Sequence, residues 1–177
     1  MSKKLDYQDL LLTDFFKFFN CKEIASKEED SRIIKQVKTG GYQEYIDIEF
    51  HLNEAGELIE ATLLLDRSWV GDHENLNPFA KDIAKSFVEV VAPVENKKDV
   101  QELVYRIFHQ QGSKDKVITI RTPGDEYGVP PLEIKKILEV FKNQHPKMYY
   151  MLFTSMYTFE NVELDGKQFL SIIWKSL

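Results

Sequence analysis

The sequence has very little cysteine, and Cys21 is the only one. No disulfide can therefore form within the chain, which favours the reducing cytoplasm as its location. This thiol has no neighbouring histidine and lies in no catalytic motif, so a thiol nucleophile is not expected. With 177 residues the chain can bury a core without crosslinks. We expect a single α+β domain over residues 1–177.

Long hydrophobic runs are also missing. No run approaches the roughly 20 apolar residues of a spanning helix, so we expect no membrane segment. The stretch before Cys21 has the basic start and apolar middle of a lipoprotein leader, but Asp9, Asp14 and Lys17 interrupt the apolar part. We therefore expect no membrane association.

The sequence lacks an excess of basic residues. Its net charge is -6 and its pI is about 5.3, whereas proteins that bind nucleic acid by neutralising phosphates usually present a basic face. Hydrophobic residues make up 43% of the chain, which is typical of a globular protein and not of a disordered one. Nucleic acid is therefore not an expected partner.

Motifs for cofactors and metals are absent as well. The sequence contains no P-loop, no GxGxxG and no GxSxG, and no two of its four histidines have a metal-ligand spacing. Only Gly71–Glu74, with the sequence GDHE, places ligand-type side chains in succession, and such acidic loops are usually solvated. We expect neither a metal nor a cofactor.

This expectation can be tested directly. Elemental analysis of the purified, dialysed protein should find no stoichiometric transition metal, because the histidines are scattered along the chain. A metal retained in stoichiometric amount would contradict the prediction and would favour an enzyme.

The stretch from Leu58 to Val91 organises the predicted fold. Residues 58–65 are apolar on both faces, which predicts an interior strand covered on both sides. Asn77 and Pro78 have the N-cap and first-turn residue types of a helix, and Pro93 ends it. Its apolar stripe is Phe79, Ile83, Phe87 and Val91.

An amphipathic helix is predicted over residues 6–20. Leu12, Phe15, Phe16 and Phe19 follow the i, i+3, i+4, i+7 spacing of one helix face. We expect this face to pack on the protein's own sheet; the alternative is docking on a second subunit.

Three strands are predicted between residues 33 and 65. Residues 22–32 form a charged connection, a short strand follows near residues 33–37, and residues 42–52 alternate between apolar and polar. Residues 53–57, which include Gly56, close a hairpin into the next strand. The three strands form a meander.

The second half is predicted to contain two more helices and three strands. One helix begins after Asn96 and another at Pro131, with a strand over residues 117–121 and a loop over residues 122–131 between them. Residues 148–159 and 167–175 are predicted strands joined by a turn.

These elements predict a mainly antiparallel, twisted sheet of five to six strands with about four helices, in the order α-β-β-β-α-α-β-α-β-β. The leading α-β-β-β-α order is similar in layout to small acidic secretion chaperones. The wider order resembles sandwiches of the PsbP type. Both are similarities of layout without a shared motif, so neither implies a particular function.

Candidate binding residues concentrate in the polar loop that is predicted after the central strand, from Asp66 to Asn77. They are Asp66, Arg67, Trp69, Asp72 and His73, and Tyr127 joins them in the proline-rich loop. Trp69 lies two residues after Arg67, so in an extended chain the two side chains would point in the same direction. This would place an aromatic ring beside a cation. The alternative is that Trp69 folds back onto the core while Arg67 makes an ordinary salt bridge.

Two functions remain open at this point. The favoured one is a non-enzymatic binding or assembly domain that engages a protein partner, a second copy of itself or a small ligand. The alternative is an enzyme of unknown type that uses Asp66, Arg67, Asp72 and His73. Convergence of these side chains in a deep pocket would favour the enzyme.

Overall fold

A seven-stranded antiparallel sheet dominates the described part of the chain. The computed structural model describes residues 4–109 and 131–177. Within them the strand order is β1-β2-β3-β4-β7-β6-β5, and every neighbouring pair is antiparallel. The predicted α+β class with antiparallel pairing is confirmed. The strands are β1 Lys22–Glu29, β2 Arg32–Lys38, β3 Ile46–Leu52, β4 Leu58–Asp66, β5 Lys147–Leu152, β6 Ser155–Leu164 and β7 Lys167–Ser176.

Helices precede the sheet, follow β4 and lead into β5. The capping residues Asp6 and Asn77 each accept a hydrogen bond from a backbone N–H of the first helical turn. A short 3-10 turn, Val94–Asn96, leads into the fifth helix. The helices are α1 Tyr7–Leu11, α2 Asp14–Phe18, α3 Arg67–Val70, α4 Pro78–Val90, α5 Lys97–His109 and α6 Pro131–Phe141.

One row of side chains crosses the middle of the sheet and forms the centre of the core. Adjacent strands pair Phe50 with Ala61, Ala61 with Trp174, Trp174 with Tyr157 and Tyr157 with Tyr150. All five are buried. Because directly paired residues lie on the same face, this row places four aromatic rings on one side of the sheet.

The helices cover this face. The Phe16 ring of α2 lies 5.8 Å from that of Phe50, measured between centroids. At the other end of the sheet the Phe141 ring of α6 lies 6.1 Å from that of Phe159. Between them, the Tyr157 hydroxyl donates a 2.9 Å hydrogen bond to the Val88 carbonyl of α4. The buried polar group is thus satisfied and fixes α4 over the sheet.

The predicted number of strands was too low for two reasons. Residues 22–29 were predicted to be a connection, but they form β1, an edge strand in which every residue is exposed. A strand without a buried face has no apolar alternation that a sequence could display. The predicted strand over residues 148–159 is divided by a turn at Phe153, whose φ is 53°, and apolar residues on both sides of the turn hide it.

The prediction of one N-terminal helix was also wrong, because α1 and α2 are separate. Thr13 adopts an extended conformation between them, and its hydroxyl donates to the Leu10 carbonyl at 2.6 Å. A threonine that bonds the preceding turn in this way competes with helical hydrogen bonding. Phe15 and Phe16 pack in the protein's own core, as expected, but Leu12 is 70% exposed.

The central strand differs from the prediction on one face. β4 lies between β3 and β7, as an interior strand should, and Ala61, Leu63 and Leu65 are buried. Thr62 and Leu64, on the opposite face, remain half-exposed. The helices therefore cover one face of this strand and leave the other partly open to solvent.

Two predictions fall outside the described residues. These are the strand over residues 117–121 and the loop over residues 122–130, which includes Tyr127. The predicted helix start at Pro131 is confirmed by α6. None of the helices in the two described segments is long and apolar enough to cross a bilayer.

The cap of α4 gives a test of the fold. The Asn77 side chain accepts from the Phe79 backbone N–H at 2.9 Å and donates to the Trp69 carbonyl at 3.1 Å. Replacing Asn77 by Ala should lower the free energy of unfolding by about 1–2 kcal/mol. The matched variant Asn75→Ala, at an exposed position, should change it by less than about 0.5 kcal/mol. Urea denaturation measures both, and equal effects would contradict this role of Asn77.

Candidate functional site

The chain after β4 forms the short helix α3, where the sequence predicted a polar loop. Asp66 caps it, since its carboxylate accepts from the Ser68 backbone N–H at 2.9 Å and from the Ser68 hydroxyl at 2.7 Å. Gly71 ends the helix with a φ of 80°. A Cβ at Gly71 would lie 2.0 Å from the Asn75 carbonyl oxygen, so the loop requires glycine there.

Asp66 also forms a partly buried ion pair with the C-terminal hairpin. Its Oδ2 lies 2.7 Å from Nζ of Lys167, and its side chain is almost completely buried. Burial by itself raises the pKa of Asp66, but hydrogen bonds from Lys167 and Ser68 outweigh burial and hold it below the ordinary value. The same pairing raises the pKa of Lys167. Both groups are therefore stabilised in their charged forms.

Arg67 is buried, with 7% of its surface exposed. Its Nη2 donates to the Phe141 carbonyl at the end of α6, where helix carbonyls lack intrahelical partners. Nε and Nη1 have no hydrogen-bond partner among the described residues. Burial lowers the pKa of Arg67 to about 10, which the carboxylate of Asp72 opposes. Arg67 is thus a cation whose hydrogen-bonding capacity is only partly used.

Two polar cavities meet at Arg67. The first, of about 450 Å³, has four amide side chains in its lining. The second, of about 460 Å³, includes Asp66, Asp72 and Lys167. Arg67, Asn143 and Gln168 line both. We call the first the amide cavity; its lining is Arg67, Asn143, Gln144, His145, Pro146, Asn161, Val162, Glu163, Gln168 and Phe169.

Trp69 belongs to a different cavity. Its ring stacks on that of Tyr45 with centroids 5.8 Å apart and an interplanar angle of 4°, and it lies 5.2 Å from the Tyr42 ring. Tyr42 also contacts Phe79, at 5.6 Å. The rings of Trp69, Tyr42 and Phe79 line a cavity of about 260 Å³, here called the aromatic pocket. Its lining is Phe18, Phe19, Asn20, Thr39, Gly40, Gly41, Tyr42, Ile46, Trp69, Phe79 and Ile83.

The rings of the aromatic pocket are unusually open to solvent. Phe18 is 79% exposed, Phe79 59% and Tyr42 47%. On its other side Phe18 lines a larger groove of about 690 Å³ between α2, α4 and α5. Phe79 was predicted in the buried stripe of α4, which was wrong, because in the first turn of this helix its side chain lines the open aromatic pocket and not the core.

The side chains of Arg67 and Trp69 do not point in the same direction. That prediction assumed an extended chain, whereas α3 is helical and turns residues two apart toward nearly opposite directions. Arg67 lines the polar cavities and Trp69 lines the aromatic pocket. Trp69 is half-buried, packs against the core and also lines the aromatic pocket.

The remaining predicted residues are less organised. Asp72 is exposed at the rim of the second polar cavity, and His73 is exposed in the following loop. Tyr127 lies outside the described residues. Residues 4–109 and 131–177 contain no group of three His, Cys, Asp or Glu side chains placed to hold a metal ion. The side chains of the GDHE sequence are thus not placed as such a group.

Several residues of these cavities were missed from the sequence. Phe18, Tyr42 and Phe79 come from three separate segments, and only the tertiary fold brings them to Trp69. The available signal was the pair Gly40–Gly41 next to an aromatic residue, which places Tyr42, with a φ of 56°, in a tight turn. Asn161 gave no such signal, because it lies inside an ordinary strand.

No protein-family model, curated protein or solved structure matches the chain. The similarities of layout to secretion chaperones and PsbP-type sandwiches therefore gain no support as evidence of activity. Function has to be inferred from the chemistry of the two kinds of cavity.

The Asp66–Lys167 pair predicts a pH dependence. A carboxylate whose pKa is lowered on folding stabilises the protein above its unfolded-state pKa, and this contribution is lost as the pH falls through the folded-state value. Asp66→Asn should lower the free energy of unfolding by about 1–2 kcal/mol at neutral pH, and the difference from wild type should shrink in acid. Lys167→Met provides the second arm of a double-mutant cycle. Fully additive effects would show that the pair is not coupled.

Proposed function

We propose that the chain is a non-enzymatic binding domain whose aromatic pocket receives a large apolar side chain of a protein partner. The observation that carries this proposal is the exposure of Phe18, Tyr42 and Phe79 around the half-buried Trp69. Five aromatic rings from four segments converge on one small cavity. Trp and Tyr are the residue types that most often dominate binding energy at protein interfaces.

Solvent exposure of these rings supports binding over a purely structural role. Apolar surface in water is unfavourable by roughly 25 cal/mol per Å², and covering it is the main gain of protein association. A ring that serves only the core would be expected to face the core, as Phe16 and Phe87 do. The cavity volume of about 260 Å³ suits a single large side chain better than a whole helix.

Charges beside the pocket indicate the kind of partner. The groove that shares Phe18 and Phe19 with the pocket is lined by Asp14, Asp82 and Glu89 against Lys85 and Lys97. Asp14 and Asp82 are exposed. Together with the overall charge of -6, this favours a partner segment with Lys or Arg close to the apolar side chain.

The polar groups near α3 favour binding over acid–base catalysis. A general acid or base works best with a pKa near the operating pH. The pKa of Asp66 is instead lowered and that of Lys167 raised, so both move away from neutrality. These are the shifts of a structural ion pair, and they supply no proton donor or acceptor poised at neutral pH.

Selection from a random peptide library tests the proposal. Binders should share a Phe, Leu, Met or Trp next to a Lys or Arg. Phe18→Ala and Phe79→Ala should each weaken the selected peptides by about tenfold or more, because a contact worth over 1 kcal/mol is lost. Fluorescence anisotropy with a labelled peptide measures the change in Kd.

A matched control separates the pocket from general surface effects. Met151→Ala removes a side chain that is also exposed, at the opposite edge of the sheet, and should leave peptide affinity unchanged. Phe18 and Phe79 are better probes than Trp69, whose stacking on Tyr45 makes truncation costly for stability as well. Selected peptides that bind equally well to all variants, or a pocket that takes only small apolar molecules, would contradict the proposal.

A further inference from the structure

Two residues in the lining of the amide cavity carry buried hydrogen-bonding atoms, of both kinds, that have no partner within residues 4–109 and 131–177. Arg67 contributes the donors Nε and Nη1. Asn161 contributes an acceptor: its Nδ2 donates to the Val140 and His145 carbonyls at 3.0 Å each, but its Oδ1 has no partner among the described residues. Both side chains line the same cavity of about 450 Å³.

Such groups are costly to leave unpaired. A buried donor or acceptor without a partner destabilises a protein by about 1–3 kcal/mol, and a charged one by more. Most buried polar atoms in native proteins are paired for this reason. Unpaired donors and an unpaired acceptor on two residues of one cavity lining would therefore be stabilised by a ligand that supplies both complementary groups.

The charges identify the cavity that suits an anion. The second polar cavity contains the carboxylates of Asp66 and Asp72, and its Lys167 is already paired with Asp66. Besides Arg67, the lining of the amide cavity contains one carboxylate, that of Glu163, which is exposed. An anion in the amide cavity thus encounters less like-charge repulsion.

We propose that the amide cavity binds a small carboxylate that also carries a hydroxyl group. The carboxylate accepts hydrogen bonds from Arg67, and the hydroxyl donates to Oδ1 of Asn161. A hydroxyl suits the second role better than an ammonium group, because an ammonium would place a second positive charge near the guanidinium. This site shares no lining residue with the aromatic pocket and is independent of the function proposed for it.

The unpaired atoms of Arg67 and Asn161 have almost no solvent-accessible surface, so a ligand reaches them only when neighbouring side chains move. Arg67 is buried, but Asn143, Gln144 and Gln168 in the same lining are exposed. Exposed side chains change rotamer on the picosecond to nanosecond timescale. Their amide groups can also donate to a carboxylate once it is bound.

The stabilising role of Arg67 dictates the choice of variant. Because its guanidinium holds the end of α6 through Phe141, replacing Arg67 would disturb the fold as well as the cavity. Gln168→Glu instead places a negative charge in the cavity from an exposed position and leaves Arg67 intact. Gln8→Glu makes the same chemical change at an exposed site of α1 and is the control.

The experiment titrates the full chain with L-lactate, propionate and inorganic phosphate and follows NMR chemical shifts. L-lactate differs from propionate by one hydroxyl group and should bind more tightly. Gln168→Glu should weaken L-lactate binding by about tenfold or more through like-charge repulsion, whereas Gln8→Glu should not change it. The largest shifts should fall on the Asn161 side-chain amide and the Arg67 Nε–H.

Each other outcome would overturn the proposal. Absence of saturable binding by L-lactate would remove the site. Equal affinities for L-lactate and propionate would show that the Asn161 acceptor does not bind the hydroxyl group. Tighter binding of phosphate would show that the ligand is not a carboxylate. Weakening by both glutamate variants to the same extent would indicate a general effect of charge. Urea denaturation of Gln168→Glu verifies that the variant remains folded.

Discussion

The pairing of β4 with β7 is the constraint on which the sheet core and the two polar cavities depend. It joins the N-terminal meander, β1 to β4, to the C-terminal strands, and its register sets Asp66 opposite Phe169. This places Lys167 within reach of Asp66 and Gln168 beside Arg67. A shift of one residue would send every side chain of β7 to the other face and would take Trp174 out of the core. Core packing and site geometry are therefore set by the same register.

The elements that could be predicted from the sequence are those whose signal is local. β3 alternates because one of its faces is buried, and α4 begins at Asn77 and Pro78 because cap chemistry acts within one turn. β1 gave no signal because neither of its faces is buried. The division of the N-terminal helix depends on a single hydroxyl contact of Thr13, which a hydrophobic pattern does not record.

The sequence predicted which segment carries the candidate site, but not which residues contact it. The residues after β4 do lie beside cavities, yet the α-helical turn of α3 separates Arg67 from Trp69 and assigns them to different ones. The partners of each come from far along the chain: Phe141 and Asn161 near Arg67, and Tyr42 near Trp69. Such juxtapositions arise from strand order and helix packing, so no spacing rule within a segment can reveal them.

The orientation of α3 also explains how one short helix contributes side chains to both kinds of cavity. Its cap, the Asp66–Lys167 pair and the packing of Trp69 against Tyr45 hold it from three directions. A helix held in this way keeps the buried cation of Arg67 on one side and the half-buried ring of Trp69 on the other. The two groups therefore do not make the cation–π contact that such a pair would otherwise favour. The donors of Arg67 that have no partner in the described part of the chain, and the solvent-exposed rings around Trp69, are both unfavourable for the isolated domain. A group bound at either place would relieve these local costs, and this is the physical basis of the binding proposed for both cavities.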